Sequence, residues 1–572
     1  MASALDELKE FEQRADIEIA KLSLWKQPIR SILSRIYLIA DGEYVGMRFN
    51  RRMPRNKEVG IAMITRMSYI VHFFSQCPRD VGSDIDDVLS VVNDQFDADI
   101  VQLLVYAHFC EIMPHVRKDF FAVERHASGF VLKHPNEEFV KHEEQDTLMS
   151  EMALPHELAP PPYPIESCKR MIKTWPEIPA DALFEVLKGA YDHYIQNVFE
   201  FPLLDDEGFQ KGFDFSRADF THMRAGLMAY ADFCLGMADA AEVLSERAFT
   251  RPKRTILQRE VREWAAPFQS RNHIIGLAAG ISAVEPSVAE RIVDLFTIDL
   301  DSVDRSKAGE GYFPPFLRLG DNLLFSPHAM KETMLERNIL YAMNRKQADK
   351  KSFDNFVSKH LEPVLIDEAA KLLLELAGVE VKKNEKWKKG KKGEKGNEGE
   401  IDLLAYHAPS NSAFQLQAKA VVTPEGARMV KHVESRTLTA AKQIESFLSL
   451  SGEEKDKICS IAFGRKLSGV AWSSGILMRT CLGTQKAWSG IKDFVPLNPV
   501  LLSVAVKRMS EAGEFTFMTL GQIVKEELAH FRSDAVVGWE NKSFTLFGEQ
   551  VTLPMLKLSP SAISDFRLRL VS

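Results

Sequence analysis

The chain has 572 residues, 45 % of them hydrophobic and 27 % charged. That excludes a small disulfide-stapled module, a fibrous repeat and wholesale disorder, and leaves room for roughly two to four domains with cores of their own. The net charge of −8 hides an asymmetry: up to Arg345 there are 39 basic and 53 acidic residues, net −14, and beyond it 33 and 27, net +6. Only the C-terminal part suits a polyanion.

The N-terminus, MASALDELKEFEQRADIEIAKL, is acidic and helix-periodic, unlike a signal peptide, and no apolar run reaches membrane-spanning length. Six scattered cysteines without a C-x-x-C pair argue against a structural zinc and fit a reducing compartment. A cytoplasmic protein without a membrane partner is expected. Residues 1–153 read as a helical domain, with apolar spacing that predicts helices from Ile61 to Phe74 and from Asp84 to Val92. His108, Glu111 and His115 have a metal-like spacing, but Pro114 is expected to interrupt their helix and no fourth ligand is evident.

The proline-rich stretch 154–165 reads as a linker, because each proline removes a donor and restrains its predecessor. Residues 166–345 form a second helical domain, with long helices from Asp181 to Phe199 and from Asp219 to Ala248, ending in a short hairpin around Gly320-Asp321-Asn322. From residue 346 to 572 the order changes to helix, Lys/Gly-rich loop, two strands, helix and further strands, the order of a compact α/β or α+β domain with a C-terminal extension.

In that last region, Gly399 to Tyr406 and Ala413 to Ala420 flank a turn and predict a hairpin. The two-residue period puts Gln415, Gln417 and Lys419 on one face and Phe414, Leu416 and Ala418 on the other, and Asp402 faces Gln417 and Lys419 across the ladder. Upstream, a helix is expected to begin at Pro363, with an apolar stripe of Val364, Leu365, Leu372 and Leu376. Glu368 falls inside the stripe, and a carboxylate on a core-facing side asks for a cation.

Glu368, then Gly399-Glu400-Ile401-Asp402, then Gln417-Ala418-Lys419, then a helix carrying Ala440-Ala441-Lys442-Gln443, resemble the restriction-endonuclease-like PD-(D/E)xK phosphodiesterases, in the variant where glutamine replaces the second acid. The resemblance runs from Val364 to Phe463, with Ile401 in place of the proline that names the motif. It implies an α/β/α domain with a four- or five-stranded mixed sheet, a Mg2+ or Mn2+ ion and cleavage of nucleic acid, DNA before RNA. Asp402, Glu368 and Gln417 would hold the metal, Lys419 would orient the attacking water, and Gln443 would brace the site or touch the nucleic-acid backbone.

The run from Lys382 to Gly396 carries eight lysines and leads into the Asp402 strand. As a flexible loop it would bind backbone phosphates through Lys386, Lys388, Lys389, Lys391, Lys392 and Lys395, with Trp387 stacked on a base. The whole reads as a multidomain α+β protein, a helical N-terminal half fused to a metal-dependent endonuclease. A prokaryotic anti-phage or restriction-type effector fits that plan, with the helical half engaging a protein partner or a second copy. The alternatives are an inactive nuclease-like domain that binds nucleic acid or another subunit, and an RNase.

Overall fold

The computed structural model describes residues 3–42, 65–78, 94–154, 156–157, 165–174, 180–199, 202–300, 315–327, 329–330, 336–346, 350–388, 398–422 and 426–571. It is a mixed α+β protein whose two largest cores both draw on distant parts of the chain. The helix expected from Asp84 to Val92 and most of the proline-rich linker lie outside the described residues. From residue 65 onward the helix expected to run from Ile61 to Phe74 becomes two 3-10 turns, Met67–Tyr69 and Val71–Gln76, in which Phe73 stacks on Trp25 at 5.5 Å. Aromatic packing overrides the 3.6-residue spacing there. The helix Asp94–Arg117 continues through Pro114, and Glu111 is held by Arg66 at 2.7 Å and by His108 at 3.1 Å, an ion-paired cluster instead of a metal face.

Strands β1 (Ala122–His126) and β2 (Gly129–Lys133) form a hairpin followed by helix α1 (Glu137–Ala153), whose N-cap Asn136 accepts the Phe139 N–H. The middle of the chain winds around α2 (Arg217–Glu246), which starts in a capping box between Ser216 and Asp219 and is buried along most of its length. Its alanines and glycines let neighbouring helices approach closely. The hairpin predicted around Gly320 is present as Phe316–Leu319 paired with Asn322–Phe325.

The region beyond residue 350 begins with helix α3 (Lys350–Leu374), which starts thirteen residues before Pro363 instead of at it. Pro363 lies inside the helix, so the Lys359 carbonyl lacks its usual donor. Strands β3 (Val379–Lys388), β4 (Glu398–His407), β5 (Ser412–Lys419), β6 (Ala471–Met478) and β7 (Val495–Leu497) make one mixed sheet in the order β7-β6-β5-β4-β3. The pairs β3/β4 and β4/β5 are antiparallel, β5/β6 and β6/β7 parallel. Every residue of β5 is buried. Because successive side chains alternate faces, that requires cover on both sides of the sheet. Helix α3 packs against β3 to β5, and α4 (Ala427–Leu448) against β4 to β6.

Helices α5 (Pro499–Ala512) and α6 (Leu520–Ala535) complete the packing, and the chain then returns to its beginning. Strands β8 (Val536–Leu546) and β9 (Glu549–Leu558) pair with each other, and β9 runs parallel to β2 from Gln550↔Gly129 to Thr552↔Val131. The segment expected as a mere extension therefore closes the N-terminal sheet, and Leu546, Val551 and Leu553 sit in the N-terminal core.

Helix α1 carries the polar side of this connection. The Asp146 carboxylate accepts the N–H groups of Leu482 (2.8 Å) and Gly483 (2.9 Å) and the indole N–H of Trp488 (3.0 Å). Gly483 has φ +109, and a Cβ there would stand 2.8 Å from the Glu434 backbone nitrogen, so the turn that offers these donors requires glycine. Two residues earlier on α1, Glu144 accepts from Arg532 (2.7 Å) and from the Trp539 indole (2.8 Å).

Burial pushes the Asp146 carboxyl up to about 6, against the pull of its donors. A raised acid contributes stability that is complete below its unfolded value and lost as pH rises through the folded one. Asp146→Asn keeps an acceptor and never ionises, so relative to the parent it should gain about 2 kcal/mol between pH 4 and pH 7. Asp146→Ala strands three donors and should lose about 3 kcal/mol or more. Denaturant unfolding at the two pH values checks both; parallel pH profiles for parent and Asn variant would contradict the assignment.

Candidate active site

The β4/β5 ladder runs from His407↔Ser412 to Leu403↔Leu416 and stops. One more step would pair Asp402 with Gln417. Instead β5 stays with β6 as far as Lys419↔Met478, while β4 stays with β3 as far as Glu398↔Lys388, so the sheet divides at this point. On its other side Asp402 also lacks a ladder partner: the β3/β4 register skips from Leu403↔Lys383 to Ile401↔Glu385, and the intervening Asn384 adopts φ 58.

Side chains take over the backbone groups freed by the division. Asp402 Oδ2 accepts the Ala418 N–H at 2.8 Å, and Gln417 Nε2 donates to the Glu400 carbonyl at 2.6 Å. Lys419 Nζ lies 3.4 Å from Asp402 Oδ2 and donates to the Ala418 carbonyl at 2.9 Å. The lysine side chain is 8 % exposed and the aspartate 15 %. With Coulomb attraction strengthened by low exposure, the two charges fix each other's position. Asp402, Gln417 and Lys419 are thus brought together, with Gln415, Gln417 and Lys419 alternating with core residues Phe414, Leu416 and Ala418 as the strand period predicts.

Glu368 is half-buried on α3 and has no hydrogen bond or ion pair with these groups among the described residues. The carboxylate that feels them is Glu362. Its acidity is weakened by burial and by the Asp402 charge, and partly restored by Lys419 and Arg436. Six residues separate the two glutamates, which turns one from the other by roughly 120° about the helix axis. Nothing in the apolar stripe signalled Glu362, because it precedes the proline at which the helix was expected to start.

Arg436 and Gln443 lie seven residues apart on α4, on one face. The buried atoms Gln417 Oε1, Gln443 Oε1 and Arg436 Nε have no hydrogen-bond partner among the described residues. Among the described residues no three His, Cys, Asp or Glu side chains cluster in a way that could hold a metal ion. The oxygen donors here are two carboxylates and an orphaned amide oxygen, a set that fits a hard cation retaining several waters better than a protein-enclosed ion.

Trp387 is not available to stack on a base. The run from Val379 to Lys388 is an edge strand rather than a loop, and Trp387 points into a small core with Ile401, Leu404 and Phe447, the last at 6.1 Å edge-on. Its register partner is Gly399, where a Cβ would lie 2.6 Å from the indole. Lys386 and Lys388 are exposed on that edge, as suits a strand that must not recruit another, and Lys388 pairs with Glu398 at 3.3 Å. Lys389, Lys391, Lys392 and Lys395 lie outside the described residues. No known protein family, curated protein or solved structure gives a significant match to this chain.

Because Trp387 is core, Trp387→Ala should cost about 3–5 kcal/mol, and Trp387→Phe much less. Thermal unfolding checks this; an alanine variant of parental stability would contradict the packing.

Proposed function

We propose that the sheet β3 to β7 with its flanking helices is a restriction-endonuclease-like domain of the PD-(D/E)xK kind, and that it hydrolyses phosphodiester bonds in nucleic acid, DNA in the first place. The observation that carries this reading is the division of the sheet at Asp402 and Gln417, with Lys419 held against the aspartate; the charges of both also act on the Glu362 carboxyl. A little-exposed break in the sheet with two acids, an ammonium group and an amide oxygen that lacks a partner among the described residues matches the needs of phosphate chemistry, where charge must be neutralised and a water aimed.

Asp402 and Gln417 Oε1 would hold a divalent cation, with Glu362 bound directly or through water, and the ion would supply charge neutralisation at the scissile phosphate. Lys419, fixed by Asp402 and the Ala418 carbonyl, would orient the attacking water and offset negative charge as it builds on phosphorus. Glu362 takes the part that the sequence alone assigned to Glu368. Arg436, whose charge also acts on Glu362, would steady the carboxylate or meet a backbone phosphate. The exposed Lys386 and Lys388 lie at the Asp402 end of the edge strand and suit sequence-independent phosphate contacts.

Purified full-length protein should nick supercoiled plasmid with Mg2+ or Mn2+. Asp402→Asn and Lys419→Met should lose on the order of 100-fold or more, and Glu362→Gln should lose far more than Glu368→Gln. Circular dichroism of each variant keeps folding separate from chemistry, since cutting a buried ion pair costs stability too. Undiminished cleavage by folded Asp402→Asn and Lys419→Met would reject the site. A parallel assay on single-stranded and duplex RNA decides the substrate, and metal-independent binding without cutting would favour the non-catalytic reading. Coupled to a large helical half, such an activity suits an effector against foreign genomes.

A further inference from the structure

A cavity of about 340 Å³ opens between α1, α6 and the segment from Gln485 to Leu497. Pro496 belongs to β7, the strand at the far edge of the sheet from β3, and none of Asp402, Gln417 and Lys419 lines this cavity. Its floor is apolar: Leu148, Ile491, Phe494, Pro496 and Leu528. One wall is a near-parallel stack of His142 on Trp488, with ring centres 5.9 Å apart and planes at 17°. The Trp488 indole N–H is taken up by Asp146, so the ring is anchored from behind.

The rim carries four cations, Lys141, Lys492, Lys525 and Arg532. Arg532 is engaged with Glu144, but Lys141, Lys492 and Lys525 have no ion pair among the described residues. Of the acids nearest in sequence, Glu138 sits 3.7 Å from His142 and Glu526 and Glu527 are both bonded to Arg508, while Asp493, beside Lys492, and Glu143, two residues from Lys141, form no ion pair with the three lysines among the described residues. Three like charges around one opening repel each other and attract an anion.

An inorganic anion would leave the apolar floor wet, and a neutral hydrocarbon would leave the lysines without a partner. A ligand that satisfies both halves has a flat, weakly polar body and a phosphate tail. The volume lies at the lower end of small-molecule sites and matches a compact ring system better than a long acyl chain. Gln145, whose Oε1 is held by His142 at 3.1 Å, offers its amide donors at the cavity wall to the edge of such a ring.

We propose that this cavity binds a purine nucleotide, with the base on the apolar floor beside His142 and Trp488 and the phosphates among Lys141, Lys492 and Lys525. The site is independent of the nuclease reading. It is built from α1 of the N-terminal half and from C-terminal elements, so occupancy would join two parts of the chain that are far apart in sequence and raise thermal stability.

Calorimetric titration of the full-length protein with ADP and GDP tests this, with adenosine and pyrophosphate as the separated halves of the ligand. The expected result is saturable nucleotide binding, at least about tenfold weaker for either half alone. Lys492→Glu with Lys525→Glu, both exposed and free to change without repacking, should lose at least about tenfold in affinity, while Asp402→Asn binds as the parent does. No binding at about 1 mM nucleotide, pyrophosphate binding as tightly as ADP, or an unaffected double variant would each overturn the proposal.

Discussion

The site depends on where one ladder ends: β4 and β5 pair with each other only as far as Leu403 and Leu416, although each continues along its other neighbour. β5 follows β6 to Lys419 and β4 follows β3 to Glu398, and between them the hairpin parts at Asp402 and Gln417. Parting leaves peptide groups in a buried place, and buried peptide groups must be satisfied. The Ala418 N–H and the Glu400 carbonyl are satisfied by the side chains of Asp402 and Gln417, which the split has brought within reach. The same requirement that completes the backbone's hydrogen bonding therefore fixes a carboxylate beside Lys419. A site held this way has little rotamer freedom, as preorganised electrostatics demands.

The second constraint ties the halves of the chain together. Asp146 and Glu144, on one turn of α1, receive donors from a glycine turn, two indoles and an arginine that all belong to residues 482–539. Further back, β9 lies parallel to β2 and carries Val551 and Leu553 into the N-terminal core. The two regions share hydrogen bonds and apolar surface, so a change at α1 is felt at the turn following β6. The nucleotide-sized cavity sits against this junction, sharing Trp488 with Asp146 and Arg532 with Glu144.

Much of this arrangement could be read from residues alone, where a local pattern was strong. The hairpin from Glu398 to Lys419, the alternation of Gln415, Gln417 and Lys419 with Phe414, Leu416 and Ala418, and the approach of Lys419 to Asp402 follow from a two-residue period and a turn. What the residues did not disclose depends on non-local packing. Trp387 in a lysine-rich run looks like a solvent-facing ring, and its burial is decided by Gly399, twelve positions away, opposite it in the sheet. Glu362 was hidden because Pro363 is a strong helix-start signal, yet tertiary contacts carry α3 through it. The strand pair of residues 122–133 with 549–558 spans more than four hundred positions and has no local signature.

Binding of a divalent cation at Asp402 can be examined apart from any activity. Titration of the folded, full-length protein with Mn2+, followed by electron paramagnetic resonance, should reveal one bound ion. That ion should be lost or weakened at least about tenfold in Asp402→Asn and weakened in Glu362→Gln, with Glu368→Gln binding like the parent. An unchanged bound-ion count in folded Asp402→Asn, or no bound Mn2+ in the parent protein, would contradict the account.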